Sequence, residues 1–242
     1  MVALLCSAGC STQQEKLGLA SKSTQALQYY PFQVKGFQNT YPKRSAAVLQ
    51  STDARAFDGV APADRVPDGG NPAIGVVTDD KGKVAQRLYG PALGPLFQDA
   101  IAHAAQEAGF AAIAANDSLQ VELSARKVDY VIDTKIVRCW VVKSRVPVNV
   151  QGGAIWHATA DVAVDISIYK PPFNVPFWQG ESASIYNDPP PTISGDVSDE
   201  AEIYEQPGEV LSVAITRAVA GIFKREDLHN LIAQDSMRAP HP

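Results

Sequence analysis

Concentrated positive charge is scarce in this 242-residue chain, where 21 Lys and Arg stand against 26 Asp and Glu for a formal net charge of −5. The densest basic stretch, Arg126, Lys127, Lys135, Arg138, Lys143 and Arg145, is interrupted by Asp129 and Asp133. Nucleic-acid binders normally gather cations on one stripe, because neutralising phosphates drives their affinity. Nucleic acid is therefore not an expected partner. Long apolar runs are missing too: no stretch of the sequence reaches the ~18 consecutive apolar residues of a membrane-spanning helix. Cysteine is rare, at Cys6, Cys10 and Cys139, which gives no disulfide framework and no zinc-like spacing with histidine. The sequence holds no Gly-x-Ser-x-Gly, no P-loop and no His-Glu-x-x-His. No catalytic residue, metal ligand or cofactor is expected, and the chain reads as a non-enzyme.

A 45% hydrophobic share supports a substantial core. Residues 46–50 and 74–78 read as short strands, the latter turned by Asp79, Asp80, Lys81 and Gly82 towards a strand at 84–89. The Pro-, Gly- and Asp-rich stretch 58–72 reads as a loop. From Pro95, the apolar positions Leu96, Phe97, Ala100, Ile101, Ala104, Ala105 and Ala108 recur at helical spacing, and Gly109 supplies the stop. A strand at 110–113 and a helix over 116–127 follow. Three long strands are expected at 129–142, 154–169 and 177–186. In the second, Val162, Val164, Ile166 and Ile168 alternate with Asp161, Asp165 and Ser167, the mark of one covered and one wet face. An amphipathic helix after Pro207 closes the chain. The order predicts an α+β fold, a mixed sheet of long antiparallel strands with helices packed on one face.

The amino terminus is the most informative segment. Its short apolar run ends at Ser7-Ala8-Gly9-Cys10 and is followed by polar residues. Small residues suit a signal peptidase groove, which accepts extended backbone with little side chain. The run resembles the end of a bacterial lipoprotein signal peptide, with Ser7 in place of the preferred Leu and no basic residues before it. This implies that 1–9 are a signal-peptide remnant, that Cys10 is acylated, and that 10–28 form a tether. Residues 29–235, opening on a strand candidate at 29–37, would form one periplasmic domain and 236–242 a tail. Diacylglyceryl and amide-linked chains would then anchor the protein in the bilayer, since stable attachment needs more than one acyl chain.

Several further features carry a family resemblance: Asp53-Ala54-Arg55 after an early strand, a helix ending in Ala108-Gly109-Phe110, Ala125 to Tyr130 opening a long strand, and Ala214 to Ala218 in the closing helix. In this order they look like the uncharacterised bacterial lipoproteins of the YajG type. They are similar, more distantly, to periplasmic α/β domains of outer-membrane assembly lipoproteins. The resemblance implies a lipid-anchored protein on the periplasmic face of the outer membrane, with an envelope protein partner or self-association, and names no reaction.

Six residues stand out as candidate binding positions. Asp53 and Arg55 lie on one side of an extended segment, where they either fix a loop or hold a ligand. His157 and Asp161 share a strand face and would be the place to look for an unrecognised hydrolase site. Asp161 and Asp165, about 13 Å apart in extended chain, are too distant for paired-carboxylate glycosidase chemistry; pairing with Lys135 or Arg138 is the alternative. Phe173 and Trp178 belong with Tyr169, Phe177 and Tyr186 to an aromatic group at a strand turn, read either as core or as a partner surface. Cys139, inside a strand, reads as a small buried hydrophobe. The leading role is non-catalytic binding or assembly; the alternatives are service as an auxiliary subunit of a transport or secretion complex, and a hydrolase with an unrecognised site near His157.

Overall fold

One strand organises the sheet. The computed structural model describes residues 41, 44–115, 128–147, 154–187 and 199–238; Cys10, the tether, the strand candidate at 29–37 and the helix expected at 116–127 lie outside them. Strands β1 (Ser45–Leu49), β2 (Thr52–Asp53), β3 (Ala73–Thr78), β4 (Val84–Tyr89) and β5 (Ala111–Ala115) are short. The long ones are β6 (Tyr130–Pro147), β7 (Ala154–Tyr169) and β8 (Pro176–Asn187). The helices are α1 (Leu93–Glu107), α2 (Asp199–Phe223) and α3 (Glu226–Arg238).

β6 is rich in Val, Ile and Thr and has no glycine, so it runs for 18 residues as the spine. One of its edges accepts β1, β2 and β3 in succession, all parallel: Ala46 opposite Tyr130, Thr52 opposite Lys135, Gly75 opposite Val141. Its other edge pairs antiparallel with β7 from Val131–Tyr169 to Pro147–Ala154, with Val137 as an extra residue between Ile136 and Arg138. β8 continues antiparallel beyond β7, β5 lies parallel beyond β1, and β4 returns antiparallel on β3. The result is a curled mixed sheet with its helices on one face, as the sequence predicted.

Alternation explains why that face is covered. Tyr130, Ile132 and Ile136, then Cys139 and Val141 after the bulge, point to the helices with Ala158, Ala160, Val162, Val164, Ile166 and Ile168. Phe97, Ile101, Ala104 and Ala105 of α1 and Val210, Ala214, Ile215, Ala218 and Phe223 of α2 close over them. Each large apolar side chain so buried contributes roughly 1.5–3 kcal/mol. Gly109, at φ 103°, ends α1: its N–H reaches Gln106 and that of Phe110 reaches Ala105, satisfying the last carbonyls. Tyr41 pins the preceding chain, donating its N–H to Ala108 O and its hydroxyl to Phe223 O while stacking on Phe110 at 4.8 Å.

Two boundaries differ from the sequence reading. The closing helix is two helices, broken at Lys224 and Arg225, and α2 already begins at Asp199, with Pro207 inside it. α3 continues to Arg238.

Candidate functional site

The site residues read from the sequence fall into separate neighbourhoods. Asp53 and Arg55 do come together. β2 is two residues long, so the β6 edge between β2 and β3 has no strand to pair with. Ala54 and Ala56 donate their N–H groups to Ile136 O and Val137 O. The Arg55 guanidinium fills the remaining gap, donating through Nη1 to Ala73 O (2.8 Å) and Cys139 O (3.3 Å). Its other side is held bidentately by Asp53, Nε to Oδ1 at 2.9 Å and Nη2 to Oδ2 at 3.0 Å. With its side chain only 4% exposed, a charged group needs such complete pairing. These bonds occupy four of the five guanidinium N–H groups, so Arg55 has little left for a ligand. Over this plug the Phe57 ring lies 4.8 Å from Arg55 Cζ and 5.6 Å from Arg65 Cζ, edge-on to Trp140 at 5.9 Å. The expected loop thus serves as a cover for the outer face of β6.

His157 and Asp161 are not brought together. Both lie on the outer face of β7, four residues apart and thus about 13 Å along the strand. His157 Nε2 contacts Thr159 Oγ1 at 3.4 Å, whereas Asp161 pairs across the sheet with Arg138 at 3.0 Å. Lys135 stands opposite Asp165 in register.

The aromatic group divides between the two faces. Phe173, with φ 63°, turns its ring with Tyr169 onto a small outer cluster of Ala47, Ala115, Val128 and Val131. A bulky residue in the left-handed region costs of order 1 kcal/mol, and this packing holds it there. Phe177, Trp178 and Tyr186 join the main core on the helix side. Trp178 is buried and donates its indole N–H to Asp227 Oδ2 at 3.1 Å, with the Arg225 guanidinium 5.4 Å above its ring.

Other groups appear only in the fold. Asp227 at the start of α3 accepts both Trp178 and a bidentate Arg225, at 3.0 and 3.1 Å. The Arg225 bonds, then the Trp178 bond, pull its carboxyl down to about 2. Near the end of α3, Asp235 accepts the Tyr130 hydroxyl at 2.8 Å and the Lys170 ammonium. Burial works to raise the Asp235 pKa, but the Lys170 and Tyr130 bonds outweigh it and hold it below the ordinary range. Tyr130 is pushed up by burial and by that same carboxylate, and burial lifts Cys139 to about 12. Lys143 is fully buried, its ammonium 5.5 Å from the Trp156 ring. Partners such as Tyr130 and Asp235 are 105 positions apart in the chain, and no local pattern announces them.

A general acid or base works best with a pKa near the working pH. Here Asp227 and Asp235 are lowered and Tyr130 and Cys139 raised, each away from that range. Among the described residues no group of three His, Cys, Asp or Glu side chains could hold a metal ion.

No family model and no curated protein sequence matches the chain. Solved structures are similar to it at low identity and with TM-scores below 0.5. One is protein XCC0632 from Xanthomonas campestris, of family DUF330: 12% identity over 88% of this chain and 97% of that one, TM-score 0.46. A putative neuraminyllactose-binding hemagglutinin homolog from Helicobacter pylori is 8% identical over 88% and 100%, TM-score 0.43. The hypothetical protein CT253 from Chlamydia trachomatis is 10% identical over 79% and 99%, TM-score 0.40.

Proposed function

We propose that this chain is an envelope lipoprotein, tethered to the periplasmic face of the bacterial outer membrane through acylated Cys10, with a non-catalytic binding or assembly role. The observation that carries the binding role is the edge of β8. Twelve residues long, it pairs on one side only among the described residues. Its chain between Gly180 and Ser184 bears small side chains apart from Glu181, and Ile185 is 64% exposed. An unpaired edge of this kind offers main-chain donors and acceptors to an added strand. Arg225 already occupies the Glu181 carbonyl at 3.3 Å, so docking would use the stretch 183–187. No described helix is long and apolar enough to cross a membrane; the anchor in this reading is lipid.

The test places a photoreactive residue at Ile185 and, as a control, at Lys81 in the β3–β4 turn, followed by cross-linking in intact cells. Recurrent capture of one protein from Ile185 alone is the expected result. Equal, diffuse labelling from both positions would overturn the edge as the binding surface.

A further inference from the structure

The two ends of the sheet expose different chemistry. At one end lie the start of β6, the turn from β7 to β8 and the last turns of α3, brought together where Tyr130 and Lys170 both bond Asp235. Of the large apolar side chains that stand exposed among the described residues, Val175 (68%) and Met237 (83%) are at this end. Ile113 joins them from the outer face: in register it lies beside Ala47, then Val131 and Tyr169, the residues on which Phe173 packs. Pro171 and Pro172 are exposed in the same turn. The opposite end carries the β3–β4 turn, where Asp80, Lys81 and Lys83 are exposed.

The apolar turn also has few groups that need water. Residues 170–176 read Lys-Pro-Pro-Phe-Asn-Val-Pro, and its prolines have no N–H. The Phe173 N–H goes to Lys170 O at 2.6 Å, so beyond Lys170 only Asn174 and Val175 bring further main-chain donors. An unpaired N–H taken out of water is costly, and this turn limits that cost. Lys170 and Arg44, both at this end, are paired with Asp235 and Asp129. The chain enters the fold here as well. Tyr41 bonds Ala108 O and Phe223 O and stacks on Phe110, which stands edge-on to Tyr130 at 6.1 Å. Cys10 precedes Tyr41 by 31 positions.

We propose that this end is a membrane contact, in which Pro171, Pro172, Val175 and Met237 rest in the interfacial layer of the bilayer that holds the Cys10 lipid. The inference rests on the lipid-anchored reading above. A patch of this size holds weakly by itself, but a tethered chain meets the bilayer at high effective concentration. The contact also orients the protein. Ile185 lies nine residues along β8 from Pro176, about 30 Å of strand. The docking stretch 183–187 is thereby held clear of the headgroups.

The test uses the full chain, unacylated and with Cys6→Ser, coupled through Cys10 to a maleimide-headed lipid. The vesicles are phosphatidylethanolamine and phosphatidylglycerol with brominated acyl chains, which quench tryptophan only at close range. A tryptophan is added at the turn (Val175→Trp) or, as control, at the far end (Lys81→Trp), and the signal of the native tryptophans is subtracted. The Val175→Trp signal should fall at least about twofold, as for a ring sunk ~5–10 Å into the interface; that of Lys81→Trp should not change. A third reporter, Met237→Trp, should be quenched as well, and should lose that quenching when Val175→Asp is added. No quenching of Val175→Trp, or equal quenching of Val175→Trp and Lys81→Trp, would overturn the contact. So would quenching of Met237→Trp that is indifferent to Val175→Asp. Because the coupling lipid stands in for acylation, this outcome is separate from that of the anchor, which the mass of the amino-terminal peptide decides.

Discussion

Trp178 lies folded along its own strand against Gly180, so closely that a Cβ on Gly180 would stand 2.5 Å from Trp178 Cη2. The ring can lie flat there, donate to Asp227 and sit under Arg225 only because residue 180 has no side chain. Gly180→Ala should therefore force the indole out of its place and destabilise the fold by about 1–3 kcal/mol. Urea unfolding followed by Trp fluorescence measures it; an unchanged midpoint would show that the ring has room to move.

Arg55 closes the gap between β2 and β3. Arg55→Ala leaves Ala73 O and Cys139 O without their donor and Asp53 without its partner, and should cost about 2–4 kcal/mol. Arg55→Lys should recover little, because an ammonium cannot reproduce the bidentate fork together with the carbonyl bonds. A double-mutant cycle with Asp53→Asn should show strong coupling. Variants of full stability would instead mark the pair as held for a ligand.

Much of this arrangement was legible in residues read locally. The Asp79 to Gly82 turn, the Gly109 stop and the period-two alternation of β7 follow from backbone preference and burial within a few positions. The parallel docking of β1, β2 and β3 along β6 did not show, because it depends on contacts between distant segments. The break between α2 and α3 occurs at Lys224 and Arg225, neither of which is a helix breaker. The aromatic residues stand together in the sequence, whereas Phe173 and Trp178 lie on opposite faces of the sheet. Of the candidate site residues, Asp53 and Arg55 were paired by spacing of two, while the partners of Trp178 and Tyr130 came from the far end of the chain.

Acid should weaken the protein through α3. Asp227 has its pKa lowered in the folded state to about 2, against roughly 4 in the unfolded chain. Its contribution is fully present above the unfolded value and is lost as pH falls through the folded one. Asp235, also lowered, acts in the same direction. Urea midpoints recorded between about pH 5 and pH 2 should fall less steeply for Asp227→Asn than for the unaltered chain. Parallel curves would show that Asp227 contributes nothing to the acid sensitivity.

Cys139 should be chemically silent. Its thiol is buried and raised to about 12, and thiolate is the reactive form. A thiol reagent at mildly alkaline pH should label it only as fast as the protein opens, and immediately in denaturant. Rapid labelling of the native chain would place it in an accessible site.

The proposed role rests on an envelope anchor of lipid on Cys10. The direct measurement is the intact mass of the mature amino-terminal peptide after expression of the full gene in a bacterial host with normal lipoprotein processing. A chain beginning at Cys10 and carrying the mass of diacylglyceryl and amide-linked acyl groups is predicted. An unmodified Cys10 in the processed protein would contradict it.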